Sequence, residues 1–178
     1  MKKLVYSILC LWIIGLSIGC SGDKAQMLQQ LEQLEQQNRS GQAMLDDSLA
    51  ESLVSYFDRH GDANERMRSR YILGRTYYCL DELPRALEMY NEAADCADTT
   101  SADCNYKVLS RIHAQSANIF HKQVQPRSQL MELRIAEYYA WKGCDSLQAI
   151  ECYAQQGDAY DYLKQPDSLV TTQHSQHE

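Results

Sequence analysis

Seven cysteines, five histidines and several adjacent carboxylates are the side chains whose types could carry chemistry in this chain. No two cysteines stand at C-x-x-C spacing and no H-E-x-x-H occurs, so no zinc site can be read from the sequence. His113 and His121 are eight residues apart, about two helical turns, too far to share a metal without a third ligand between them. His174 and His177 fall in a polar terminal stretch. Asp46-Asp47 and Asp81-Glu82 stand where helices are expected to begin or turn, positions at which carboxylates cap backbone amides rather than exchange protons with a substrate. Gly15-Leu16-Ser17-Ile18-Gly19 has the spelling of a nucleophile elbow. Such an elbow must follow a strand and open a helix, whereas Ser17 lies in an apolar, uncharged run. Neither a G-x-G-x-x-G nor a P-loop pattern is present. The sequence therefore assigns no catalytic residue, no metal ligand and no cofactor, and the chain reads as a non-enzyme.

The elements that hold these residues follow from composition and periodicity. The chain has 178 residues, 44% hydrophobic and 23% charged, with only 8 Gly and 3 Pro, a low content of helix breakers that argues against an all-β protein. Its formal charge of −7 argues against a duplex nucleic-acid binder that relies on phosphate neutralisation.

Lys2 and Lys3 precede an apolar, uncharged run from Leu4 to Ile18, followed by Gly19 and Cys20, the layout of an export signal too short to span a bilayer comfortably. A small residue directly before a cysteine at the end of such a run resembles the lipobox of bacterial lipoproteins, with Ser17 where Leu is usual three residues before the cysteine. That resemblance implies cleavage of residues 1–19, acylation of Cys20 and a lipidated tether over 20–25. The chain would then be anchored to a membrane of the cell envelope, on its periplasmic face or at the outer membrane, rather than threaded through one.

From Gln26 onward, apolar residues recur at helical spacing: Leu28, Leu31 and Leu34, then Leu49, Leu53, Tyr56 and Phe57 after a cap at Asp46 or Asp47. Gly61 is placed to stop that helix. A further pair runs from about Asn64 to Leu80 and from Pro84 to Asp95. Within it, Arg70-x-x-Leu73-Gly74-x-x-Tyr77 and Ala86-x-x-x-Tyr90-x-x-Ala93 resemble the tetratricopeptide repeat, with Arg70 where a large aromatic is usual and Asp98 where a closing Pro is expected. Ala117, Phe120, Leu130, Leu133 and Ala136 repeat the pattern 43 residues on, and Tyr153, Gly157, Tyr160 and Leu163 reopen it after another 40.

The resemblance implies an all-α fold of antiparallel helix pairs stacked as a right-handed solenoid over residues 26–170. It would hold three to four repeats, the last incomplete, with 171–178 a disordered tail. Leu73, Gly74, Tyr77, Ala86, Tyr90, Ala93, Ala117, Phe120, Leu133, Ala136, Gly157 and Tyr160 would be the packing positions. By the family's register, Arg68, Tyr71, Arg75 and Tyr78, joined by Arg111, Asn118, His121 and Lys122, would line a concave groove for a peptide or protein partner. The repeat period also places Cys96 and Cys104 at either side of an extra polar loop. In an exported chain they could form a disulfide, with two free thiols or, less favoured, a metal pair as the alternatives. The Lys2-Lys3 signal, the lipobox and the stretches Tyr56-Phe57-Asp58-Arg59-His60-Gly61 and Asn64-Glu65-Arg66-Met67 resemble repeat lipoproteins and sensor regions of Bacteroidetes-type bacteria. The implied function is a lipid-anchored scaffold or adaptor, with a stand-alone sensor module and an outer-membrane assembly lipoprotein as alternatives.

Overall fold

The computed structural model describes residues 22–164, and the expectations for residues 1–19, for Cys20 and for 171–178 lie outside them. The described chain is all-helical: α1 (22–39), α2 (Asp47–His60), α3 (Ala63–Cys79), α4 (Leu83–Asp95), α5 (Tyr106–Lys122), α6 (Pro126–Lys142) and α7 (Ser146–Lys164). No strand occurs among the described residues.

Local chemistry sets the helix ends. Asp46 is the N-cap of α2, accepting from the Ser48 amide at 3.0 Å. Asp62 opens α3 in a capping box: it accepts from the Glu65 amide at 2.9 Å, and the Glu65 carboxylate accepts from the Asp62 amide at 2.8 Å. Pro126 begins α6, where its missing N–H costs no helical hydrogen bond.

Four helices end in one and the same way. After α1, α3, α5 and α6 a residue with positive φ is followed by an amide that donates to a carbonyl back in the last helical turn: Gln42 to Gln37, Glu82 to Tyr77, Gln125 to Phe120 and Asp145 to Ala140. These are Schellman turns. Only the first uses glycine, Gly41 at φ 74°; the others place Asp81, Val124 and Cys144 in the left-handed region. Gly61 ends α2 differently, with φ −92°, and is required by space, since a Cβ there would lie 2.6 Å from the Phe57 carbonyl oxygen.

Helix α1 starts earlier than the sequence reading placed it, at residue 22 instead of 26. Lys24 pairs with Glu65 of α3 at 2.8 Å, and Met27 and Leu28 pack on the core, so contacts across the chain secure the first turn.

Each helix from α2 to α7 packs on the next in sequence, and α3 also touches α5 while α5 touches α7. Helix α3 is the centre: Met67, Tyr71, Ile72, Leu73, Gly74, Thr76 and Tyr77 are all buried. Tyr90 and Phe57 are the largest fully buried side chains, and Ala86 and Ala93 let α4 approach α3 closely. Arg70 bridges α2 and α4 by pairing with Asp58 at 2.6 Å and Glu92 at 3.2 Å, an ionic link where an aromatic was the usual residue.

Toward the C-terminus the core thins to a smaller cluster of Ala114, Ala117, Leu133, Ala136 and Cys152. Three expected packing positions differ there. Phe120 is only half-buried, because Ile119 occupies the interior. Gly157 is exposed, with nothing within 4 Å of where a Cβ would stand, and Tyr160 is 38% exposed. Helix α7 instead buries Ala149, Cys152, Gln156 and Ala159, a face rotated by one residue from the expected register.

Candidate functional site

One face of the molecule is built from α1, α3 and α5 and the turns that flank them. Asn64 joins two of these elements, donating to the Asp103 carbonyl at 2.8 Å and accepting from the Asn105 amide at 2.9 Å, which fixes the α4–α5 loop against the start of α3. The α6–α7 turn reaches the same place: a Cβ on Gly143 would lie 3.0 Å from the Lys107 amide nitrogen, so glycine permits this approach. Between these elements lies an open cavity of about 790 Å³ lined by Glu32 of α1, Asn64 and Arg68 of α3, Asp103, Lys107 of α5 and Lys142 of α6, among others. A smaller cavity of about 220 Å³ adjoins it, lined by Glu35 and Asn38 of α1, Tyr71 of α3 and Arg111 of α5, with Arg68, Asn105 and Lys107 shared between the two.

The charges here are mixed. The Arg68 guanidinium donates to both carboxylate oxygens of Glu35, at 2.7 and 2.9 Å. Arg111 reaches Asp145 at a longer 3.7 Å. Lys107 and Lys142 have no carboxylate partner among the described residues; Lys142 lies over the rings of Tyr106 and Tyr138 at 5.3 and 5.0 Å. The neighbouring Tyr138 hydroxyl holds the Lys142 ammonium above its ordinary pKa, so it stays charged through neutral pH. The Tyr71 hydroxyl, pushed up by burial, stays neutral and accepts from Asn38 at 3.4 Å.

The expected groove residues divide into two groups. Arg68, Tyr71 and Arg111 line the smaller cavity. Arg75 is held inside the fold, donating to Asn38 at 2.9 Å and to Gln115, with its guanidinium 5.1 Å from the Tyr78 ring. Tyr78 is also covered by Lys122, 4.3 Å from its centroid, so neither ring nor cation faces the two cavities. Asn118 is half-buried, and His121 sits apart against Tyr162 in a small pocket with Val124 and Pro126.

The residues that sequence reasoning missed are those whose partners are remote in the chain. Glu35 and Asn38, three apart on one face of α1, are 33 and 37 residues from the arginines they bind. Lys107 and Lys142 are brought together only by the close approach at Gly143.

The other candidate chemistry is dispersed. His113 meets Glu132 at 2.7 Å and stacks on Tyr139, away from His121. No group of three or more His, Cys, Asp or Glu side chains that could hold a metal occurs among the described residues. Cys96 and Cys104 are free thiols here, as are Cys79, Cys144 and Cys152. Burial, aided by Asp98, pushes the Cys104 thiol up, the opposite of what a nucleophilic thiolate needs. No helix among the described residues is long and apolar enough to cross a membrane. Set beside known proteins, this all-helical chain matches no family model, no curated protein and no solved structure.

Proposed function

We propose that the chain is a lipid-anchored interaction protein of the cell envelope, an adaptor or scaffold whose helix pairs stack as tetratricopeptide-like repeats. It holds a peptide or protein segment in the groove between α1, α3 and α5, and it acts by binding rather than by catalysis. The observation that carries this reading is the pair of adjoining cavities of about 790 and 220 Å³ along those three helices. Their lining offers cations without carboxylate partners at Lys107 and Lys142, and acceptors at Glu32 and Asp103. A polar, open, mixed-charge groove suits a peptide backbone with charged side chains better than a small apolar ligand. The alternation of contacts supports the repeat reading, since α1, α3, α5 and α7 would be the first helices of successive pairs. The anchor follows from the Gly19-Cys20 resemblance, and a disulfide between Cys96 and Cys104 is compatible with an exported chain.

The groove is tested by placing a photo-crosslinking residue at Lys107 and, as a control, at Glu88 on the exposed side of α4. A partner captured from position 107, lost on Arg111→Ala or Lys142→Ala and absent from position 88, is the expected result. Equal capture at both positions excludes the groove. Cys20→Ser tests the anchor separately, since it should abolish both membrane partition and the acyl mass.

A further inference from the structure

We propose that the joint face of α6 and α7 pairs with the same face of a second copy, the two α7 helices running antiparallel about a two-fold axis near Tyr153 and Ala154. Among the described residues the first and last helix pairs are unlike. Helix α1 turns Gln26, Gln29, Glu32, Gln33 and Gln36 outward, and α2 turns Glu51, Ser52, Ser55 and Asp58 outward, a polar surface. On α6 and α7 the exposed side chains include, beside charged ones such as Glu151, Asp158 and Asp161, the large apolar Tyr138 (54%) and Trp141 (56%) of α6, and Leu147 (69%), Ile150 (60%), Tyr153 (69%) and Tyr160 (38%) of α7.

These form one surface. Gln156 donates to Glu137 at 2.7 Å and Arg134 donates to the Tyr160 hydroxyl, so α7 runs antiparallel to α6 with Tyr160 beside the exposed stripe of α6. At roughly 200 Å² per large side chain, the exposed parts of these six residues come to about 700 Å². That is more than the patch of roughly 300–600 Å² usual on a monomer, and close to the ~800 Å² that each partner contributes to an interface of standard size.

The occupant is indicated by the order of large and small residues along α7. Leu147, Ile150 and Tyr153 fill its first half, while Ala154 and Gly157 leave the second half open, with nothing within 4 Å of the Gly157 Cβ position. An antiparallel copy sets Ile150 opposite Gly157, Tyr153 opposite Ala154, and Leu147 opposite Tyr160. A large side chain already packs on a glycine inside the fold, where the Tyr90 ring lies on Gly74.

The test is disulfide crosslinking in the full chain, with Cys144→Ser to remove the exposed native thiol. Ala154→Cys lies near the axis and Glu92→Cys on α4 is the control; both are treated with copper–phenanthroline, which takes two electrons from each thiol pair. The expected result is a homodimer for Ala154→Cys, none for Glu92→Cys, and a loss of at least tenfold in dimer yield on adding Tyr153→Glu. Gly157→Trp separates interface from folding, because it should raise the melting temperature of the monomer by removing a helical glycine while also suppressing the dimer. No dimer at position 154, equal dimer at position 92, or a dimer insensitive to both Tyr153→Glu and Gly157→Trp overturns the proposal, as does an adduct to a different protein in place of the dimer.

Discussion

The ring of Tyr90 rests directly on Gly74: a Cβ at position 74 would lie 2.6 Å from two carbons of that ring. This contact fixes how closely α4 approaches α3, and Tyr90 itself is fully buried. Gly74→Ala is therefore expected to destabilise the protein by about 2 kcal/mol through overpacking, despite the better helix propensity of alanine. Thermal unfolding should show a melting temperature lower by roughly 5 °C. Tyr90→Leu frees the space, so the double variant should lose less than the sum of the two single losses. An unchanged melting temperature for Gly74→Ala would mean that the ring can move aside.

Arg68 and Glu35 give a second test, one that separates a structural arginine from a ligand-binding one. Their side chains are 19% and 13% exposed, and the pair joins α1 to α3 through two hydrogen bonds. Burial lowers the Arg68 pKa less than the hydrogen bonds to Glu35 raise it, so the guanidinium stays charged in place. Arg68→Met leaves Glu35 with only the long contact to Arg39 at 3.9 Å. We expect a loss of about 2 kcal/mol, between the values for exposed and buried pairs. Amide exchange should speed up first in α1, where the other ion pair to α3, Lys24 with Glu65, lies near the far end and Asn38 is left as the polar link beside the break. Uniform exchange across the chain would deny α1 this separate attachment.

The sequence was most readable where a local rule and the packing agree. Asp46 and Asp62 cap helices because capping is decided within three residues, and Gly74, Ala86 and Tyr90 pack together because their spacing serves both helices at once. In α7 the same rules misplace the face by one residue. Gly157 and Tyr160 matched the pattern, yet Gln156 is buried because its amide reaches Glu137, and no further helix among the described residues lies against Gly157. The lining of the two cavities was half legible for a related reason. A register puts Arg68, Tyr71 and Arg75 on one face of α3, but whether that face meets solvent depends on Glu35 and Asn38, which arrive from another helix. The start of α1 was hidden in the same way, behind an ion pair between residues 41 apart in the chain, Lys24 and Glu65.

Val124 offers a stabilising change. It closes the turn between α5 and α6 at φ 54°, where a β-branched side chain is crowded by its own backbone, and it is 66% exposed, so little packing is lost by removing it. Relief of left-handed strain is worth roughly 1–2 kcal/mol and the added backbone entropy of glycine offsets part of it. Val124→Gly should raise the melting temperature by about 2–4 °C, and Val124→Asn by somewhat less. Asp81, in the equivalent turn after α3, tolerates φ 62° better as a residue that commonly visits this region, so Asp81→Gly should give a smaller gain. Equal gains at the two positions would remove β-branching as the cause.

Alkaline pH should weaken the fold, and the direction follows from its buried phenols. Burial and the hydrogen bond that Tyr77 donates to Glu51 at 2.7 Å push its pKa up to about 12, although Arg85 beside the ring opposes the shift. Burial raises Tyr71 and Tyr90 as well. In the unfolded chain a tyrosine titrates near 10. The folded state therefore holds these protons more tightly, and the resulting stability is complete below pH about 10. It is lost as pH rises from there through about 12, because the unfolded state releases protons that the folded state retains. Urea unfolding at several pH values between about 8 and 11.5 should show a flat region followed by a steady decline. Tyr77→Phe removes one of the phenols responsible and should make that decline shallower, while a slope identical to that of the unmodified protein would show that Tyr77 ionises in the folded state as readily as in the unfolded one.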